Sequence, residues 1–237
     1  MRLRLLLTIS VLTVLSCSSC TVKTSLISEK LDKVESLLTS EPDSAFLLIE
    51  GIDLETIHKE KIKARHALLY SIIMDKRHVD IKSDSLIRPA LEYYPRHGDC
   101  QETAMTFYYT ARIHENADDL ELAMKYLVKA ESIRSNKDPY LNSLIHSAKG
   151  RIYNHLHEYA MAAEEYEKSA SYCNGDENYG RYVSNKIREA TCRYMQNDYS
   201  STQKILDALS IDKFQLSNNV LGKYYQLAIS LADTGND

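Results

Sequence analysis

Tryptophan is absent from this 237-residue chain, phenylalanine occurs three times, and turn formers are scarce, with seven glycines and four prolines. All-β domains need frequent tight turns, so this scarcity points to helices joined by short loops. A basic excess is missing as well: 29 Lys and Arg stand against 33 Asp and Glu, for a formal net charge of −4. Without a positive field to displace counterions from phosphates, no nucleic-acid partner is expected. Past the first twenty residues the cysteines, Cys100, Cys173 and Cys192, lie far apart with no CxxC or Cys/His ligand spacing, so no metal site is expected. No P-loop, GxGxxG, G-x-S-x-G or HExxH motif occurs. His155 and His157 form an H-x-H at a helix end, and Glu164-Glu165 and Asp118-Asp119 read as solvated faces or turns. Neither enzyme chemistry nor a cofactor is expected. What remains is an ordinary globular balance, 44% hydrophobic and 26% charged, enough for a real core.

The first residues read as an address. Met1–Arg4 carries two arginines, Leu5–Leu15 is apolar, and small residues follow, the order of a secretory signal. The apolar run is shorter than the roughly 20 residues that span a bilayer. Val14-Leu15-Ser16-Cys17 resembles a bacterial lipobox, which implies cleavage after residue 16 and lipidation of Cys17. Cys20 is a second candidate, and an ordinary secretory peptide is the alternative. Acyl chains gain about 0.8 kcal/mol per buried CH₂, so several on one cysteine hold a soluble domain at a membrane. The chain is therefore expected to be exported and lipid-anchored in the cell envelope, on the periplasmic side. Cys100, Cys173 and Cys192 remain, read as scattered buried thiols with Cys192 in the core.

Self-similarity is the strongest signal. Small Ala111 is followed by Ala123, Leu127 and Ala130; Gly150 by Ala162, Tyr166 and Ser169; Ala190 by Thr202, Leu206 and Leu209. Polar turns closed by a large apolar residue separate the halves: Ala117–Leu120, Leu156–Tyr159 and Gln196–Tyr199. The frames stand 39 and 40 residues apart. Small residues at one level let two antiparallel helices cross closely, and each pair leaves an apolar face that the next pair covers. Tyr126, Tyr153, Tyr159, Tyr166 and Tyr199 fall at interhelix places and are expected in the core.

This pattern resembles the tetratricopeptide repeat, whose unit is 34 residues. The resemblance implies an all-α, right-handed superhelical solenoid of antiparallel helix pairs. The extra residues per unit would lengthen the connection between units or add a helical turn. Tyr153 fits a family tyrosine, while the usual tryptophan and terminal proline are missing. Leu37–Ala45, Ala67–Ser71, Ser83–Ile87 and Tyr93–Gly98 are similar to a Bacteroidales family of exported tetratricopeptide lipoproteins. The organisation is then a signal peptide (1–16), a lipidated linker (17–25), a divergent helix pair (26–60) and a divergent repeat (61–100). Repeats over 101–139, 140–179 and 180–218 and a half-repeat over 219–237 follow. Helix boundaries are expected at 27–38, 45–49 with Gly51 as the stop, 62–74, and 86–94, where Pro89 puts the start near Ile87.

The family resemblance also implies non-catalytic binding of a protein or peptide in a concave groove. That groove is lined by the second, fifth, ninth, twelfth and thirteenth places of each repeat. Those places hold Met105, Tyr108, Arg112, Glu115 and Asn116 in the first repeat, and Leu144, Ser147, Arg151, Asn154 and His155 in the second. The third contributes Ser184, Ile187, Thr191, Tyr194 and Met195. Arg112 and Arg151 hold the same place and are read either as rungs gripping a carboxylate or as partners of nearby Glu115 or Glu189. Tyr108 and Arg112 stand where a chaperone-tail clamp would need Lys and Asn, so that function is not expected. The open last helix, with Leu227 and Leu231, is a candidate surface for homo-oligomers. The alternative function is a sensor or input module of a membrane-linked regulator.

Overall fold

A computed structural model describes residues 25–133, 138–212 and 215–234. Every regular element among them is helical. The expected signal peptide, Cys17, Cys20 and nearly all of the linker lie outside the described residues, as does the tail 235–237. None of the described helices is long and apolar enough to cross a membrane.

The elements are α1 (25–37), α2 (Pro42–Glu50), α3 (Glu60–Lys76), α4 (Arg88–His97), α5 (Cys100–Asn116), α6 (Leu120–Glu131), α7 (Pro139–His155), α8 (Tyr159–Ser171), α9 (Tyr179–Met195), α10 (Tyr199–Asp207) and α11 (Asn218–Thr234). Expected boundaries fall within a few residues of these. Glu60–Lys76 overruns the expected 62–74, and Arg88–His97 starts beside Ile87, where Pro89 placed the start, with the proline in the first turn where no N–H is needed. Five helices, α3, α5, α7, α9 and α11, are each 17 residues long. Each begins 39 or 40 residues after the one before it. At 1.5 Å per residue each spans about 25 Å.

Local chemistry explains where these helices start and stop. Asp99, Asp119, Asp138 and Asp198 are N-caps whose carboxylates accept first-turn backbone N–H groups. Asp99 and Glu102 complete a reciprocal capping box. After α3, α7 and α9 the chain turns through one left-handed residue, His78 (φ 57°), His157 (φ 61°) and Asn197 (φ 60°). At these three sites the N–H two residues past the cap reaches back to the third-last helical carbonyl: Val79 to Met74, Glu158 to Tyr153, Asp198 to Arg193. This is a Schellman closure. Asp118 (φ 62°), before α6, takes the same conformation. The four left-handed residues keep the 39–40 period and extend it into the region read as divergent.

The chain divides into two compact units, Met1–Ala117 and Asp118–Asp237, with the division inside the repeat expected over 101–139. In the first unit α3 packs on α2, α4 and α5. Arg65 of α3 pairs with Asp32 and Glu35 of α1. In the second unit α7 packs on α6 and α8, α8 on α9, and α9 on α10 and α11.

All the small and large signature residues are buried. Ser169 Oγ donates to the Ser143 carbonyl at 2.7 Å, and Thr202 Oγ1 to the Ala190 carbonyl at 3.3 Å, so both hydroxyls are satisfied across helix pairs. At Gly150 the close approach is strict. A Cβ there would stand 2.8 Å from ring carbons of buried Tyr166.

Three expectations are corrected. Leu227 and Leu231 are buried against Ala190 and Leu206; the exposed apolar residues of α11 are Tyr225 (51%) and Ile229 (63%). A second copy docking on α11 would meet those two instead. Tyr199 is 38% exposed, because it opens α10 and turns its hydroxyl to Asn197 Oδ1 at 2.9 Å. Cys100 is exposed on the first turn of α5, whereas Cys192 is buried in the core.

Candidate functional site

The fifteen residues expected on a groove are distributed unevenly in the structure, as Tyr108, Arg112, Asn116, Ser147, Arg151, Asn154 and Tyr194 show. Tyr108 is buried (2% exposed), its ring edge-on to Tyr109. Ser147 is buried too, donating to Asn185 Oδ1 at 3.1 Å. Ile187, at the same repeat place, is also buried. In the first two repeats this fifth place is an internal packing position, which in the second faces the next long helix, α9; in the third, Ile187 also edges the groove described below. Arg112 is half-buried and pairs with Asp75 at 3.0 Å and with Glu115. The pairing with Glu115 was one of the two readings of that residue. Asn116 Nδ2 donates to the Ile81 carbonyl. Arg112 thus ties α5 to the last turn of α3, and Asn116 ties it to the loop that follows. Arg151, half-exposed, belongs to the second unit.

Asn154 and Tyr194 come together. They line a groove of about 380 Å³ with Ile187, Thr191 and Met195 of α9, Lys223, Gln226, Leu227 and Ser230 of α11, and Arg188 and Tyr166. Four of the five third-repeat residues expected on a groove are here. Shifting by 39, the offset between the starts of α9 and α11, carries Ser184, Ile187 and Thr191 onto Lys223, Gln226 and Ser230. Two repeat places, that of Ile187 and Gln226 and that of Thr191 and Ser230, therefore recur on successive helices as one wall, which Ser184 itself does not line. The α11 residues were missed because that frame was not extended onto the half-repeat.

The groove's electrostatics are one-sided. Arg188 and Lys223 line it, and no carboxylate among the described residues does. Arg188 Nη1 donates to Ser147 Oγ at 2.9 Å, and its guanidinium lies 5.8 Å from the Tyr166 ring centre. Tyr194 is tied at its hydroxyl to the Ser230 carbonyl at 3.4 Å, which links α9 to α11. The walls are otherwise apolar or neutral.

A second polar cluster lies on the α7–α8 packing face. Glu165 is buried, not solvated as its Glu164-Glu165 pair suggested, because its place on α8 faces α7. Its carboxylate meets His146 Nδ1 at 2.7 Å, Lys149 Nζ at 3.1 Å and Lys168 Nζ at 3.0 Å. Burial alone would raise the Glu165 pKa; bonds to His146 and Lys168 and the Lys149 charge overcome it and hold it down to about 2. Burial opposes the Lys149 charge, but Glu131 and Glu165 raise its pKa overall. Every charge here is compensated, the arrangement of a structural network. No group of three or more His, Cys, Asp or Glu with metal-binding geometry occurs among the described residues.

No protein-family profile, curated protein or solved structure matches this chain.

Proposed function

We propose that this chain is a non-enzymatic binding scaffold, a tetratricopeptide-like solenoid that is exported, lipid-anchored at Cys17, and holds an extended segment of a protein partner. The segment lies in the groove across α7, α9 and α11. The observation that carries this reading is the recurrence of the same repeat places as one continuous wall on α9 and α11. Helices of equal length and constant period are what a stacked-repeat architecture requires.

The groove's chemistry narrows the partner. Two cations without a lining carboxylate favour an acidic group. Ile187, Met195 and Leu227 favour an apolar side chain beside it, and Tyr194 offers broad contact with a polar tip. The expected ligand is a peptide carrying an Asp, a Glu or its own C-terminus next to a large apolar residue. A pull-down from the native cell envelope with Tyr194→Ala/Lys223→Glu tests this. A discrete partner retained by the wild type and lost by the variant supports it. A partner list unchanged by the double variant would overturn it.

A further inference from the structure

Two buried side-chain nitrogens lack a hydrogen-bond partner among the described residues: Arg181 Nη1 and Asn185 Nδ2. They stand one turn apart on α9. Asn185 at least receives the Ser147 hydroxyl at its oxygen. Arg181 is the sharper anomaly. Its guanidinium stacks on the Tyr140 ring at 3.8 Å and pairs with no carboxylate among the described residues. Nη1 itself has no accessible surface, so it is the remainder of the half-buried guanidinium, without a carboxylate partner among the described residues, that a ligand beside it can reach.

Arg181 also lines a cavity of about 290 Å³, distinct from the groove. The cavity lies where the end of α8, the 3-10 turn Asp176–Asn178 and the start of α7 converge. Tyr140 and Tyr172 supply aromatic walls, and Asp138 and Glu177 supply carboxylates. Asp138 Oδ1 is engaged by the Tyr140 and Leu141 N–H groups, at 2.9 and 3.3 Å. The volume sits at the lower edge of small-molecule sites, about 300–1,000 Å³, and is too small for a folded partner.

The charges select the ligand. A simple anion would satisfy Arg181 but meet two carboxylates. A simple cation would suit the carboxylates and leave Arg181 without an acceptor. A small zwitterion answers both. We propose that this cavity binds a free α-amino acid, with its carboxylate on Arg181 and its ammonium toward Glu177 and Asp138. The stacked guanidinium is held in place by Tyr140, so little side-chain entropy is lost on binding. The site is independent of the groove, and its occupancy does not require the protein-binding reading.

The test is calorimetric titration of the chain with L-phenylalanine, L-leucine, L-glutamine and glycine. The matched probes are 3-phenylpropanoate, which lacks the amine, and 2-phenylethylamine, which lacks the carboxylate. Saturable binding of at least one amino acid is expected. Binding should weaken about 10- to 100-fold in Arg181→Gln, the loss for one charge-assisted hydrogen bond. Both matched probes should weaken comparably, with an unchanged circular dichroism spectrum in the variant. If Arg181→Gln does not fold, Glu177→Gln on the exposed turn carries the test, with selective loss of amine-bearing ligands. Three results overturn the proposal: no binding at millimolar ligand, equal binding by Arg181→Gln, or equal affinity for 3-phenylpropanoate. The first would leave water as the acceptor, and the last would make the site a plain carboxylate receptor.

Discussion

Replacing Glu165 by Gln removes one negative charge from the α7–α8 face while keeping the side chain's shape. The wild-type carboxylate titrates at about 2 in the folded chain against an ordinary value of 4.5, because His146, Lys168 and Lys149 outweigh its burial. A carboxylate whose folded pKa is depressed stabilises the fold at pH above its unfolded value. That stabilisation is lost as pH falls from about 4.5 toward about 2. The shift corresponds to about 3 kcal/mol at pH 7 and to about half of that at pH 3. Lys149 would keep Glu131 at 3.0 Å in the variant, so the cluster does not collapse outright. Urea unfolding of both proteins by circular dichroism, at pH 7, 5, 4 and 3, reads the difference directly. The gap between wild type and Glu165→Gln should be largest at pH 7 and narrow steadily below pH 4.5. A gap that stays constant down to pH 3 would refute the reasoning, since only shape and not charge would then matter.

Other outcomes follow from packing and backbone. Gly150→Ala should gain about 1 kcal/mol of helix propensity and lose about 1–3 kcal/mol to overpacking against Tyr166. Repeated in a Tyr166→Leu background it should become net stabilising, so a double-mutant cycle showing no coupling would contradict the close approach. His78→Gly should raise stability by about 0.5–1 kcal/mol in urea unfolding, since glycine adopts the left-handed turn without a Cβ penalty. Burial pushes the Cys192 thiol up to about 11, so peptide mapping after alkylation at pH 8 should find Cys100 labelled long before Cys192. Comparable labelling rates would mean that the α9 core opens readily.

The repeat was legible because its period rests on residues with one job. Ala123, Ala130, Ala162 and Ala190 leave room for a crossing helix, and Leu127, Tyr166 and Leu206 fill the gap, wherever the surrounding sequence drifts. Helix length was only half legible. The resemblance implied either longer connections or an extra turn, and the 17-residue helices begin five residues before the second repeat place (Met105, Leu144 and Ser184), which fits an added turn at their N-termini. His78 was opaque, because a left-handed histidine carries no glycine or asparagine cue. Tyr108 and Ser147 were assigned to a ligand-facing place, but in the first two repeats neighbouring helices cover that place, and only in the third does its residue, Ile187, edge the groove. Glu165 and Arg181 lay beyond sequence reading altogether. Whether an acidic or basic residue in an amphipathic helix meets solvent or a partner depends on the helix packed against it.

The central claim is that the face across α7, α9 and α11 holds a protein partner. Its most direct test places a photo-crosslinking amino acid in the groove, at Thr191, and another on the exposed surface of α8, at Glu164. Both proteins are illuminated in the native cell envelope. The account predicts a discrete covalent adduct from Thr191 that Glu164 does not give. Identical adducts from both positions, or none from Thr191, would contradict it.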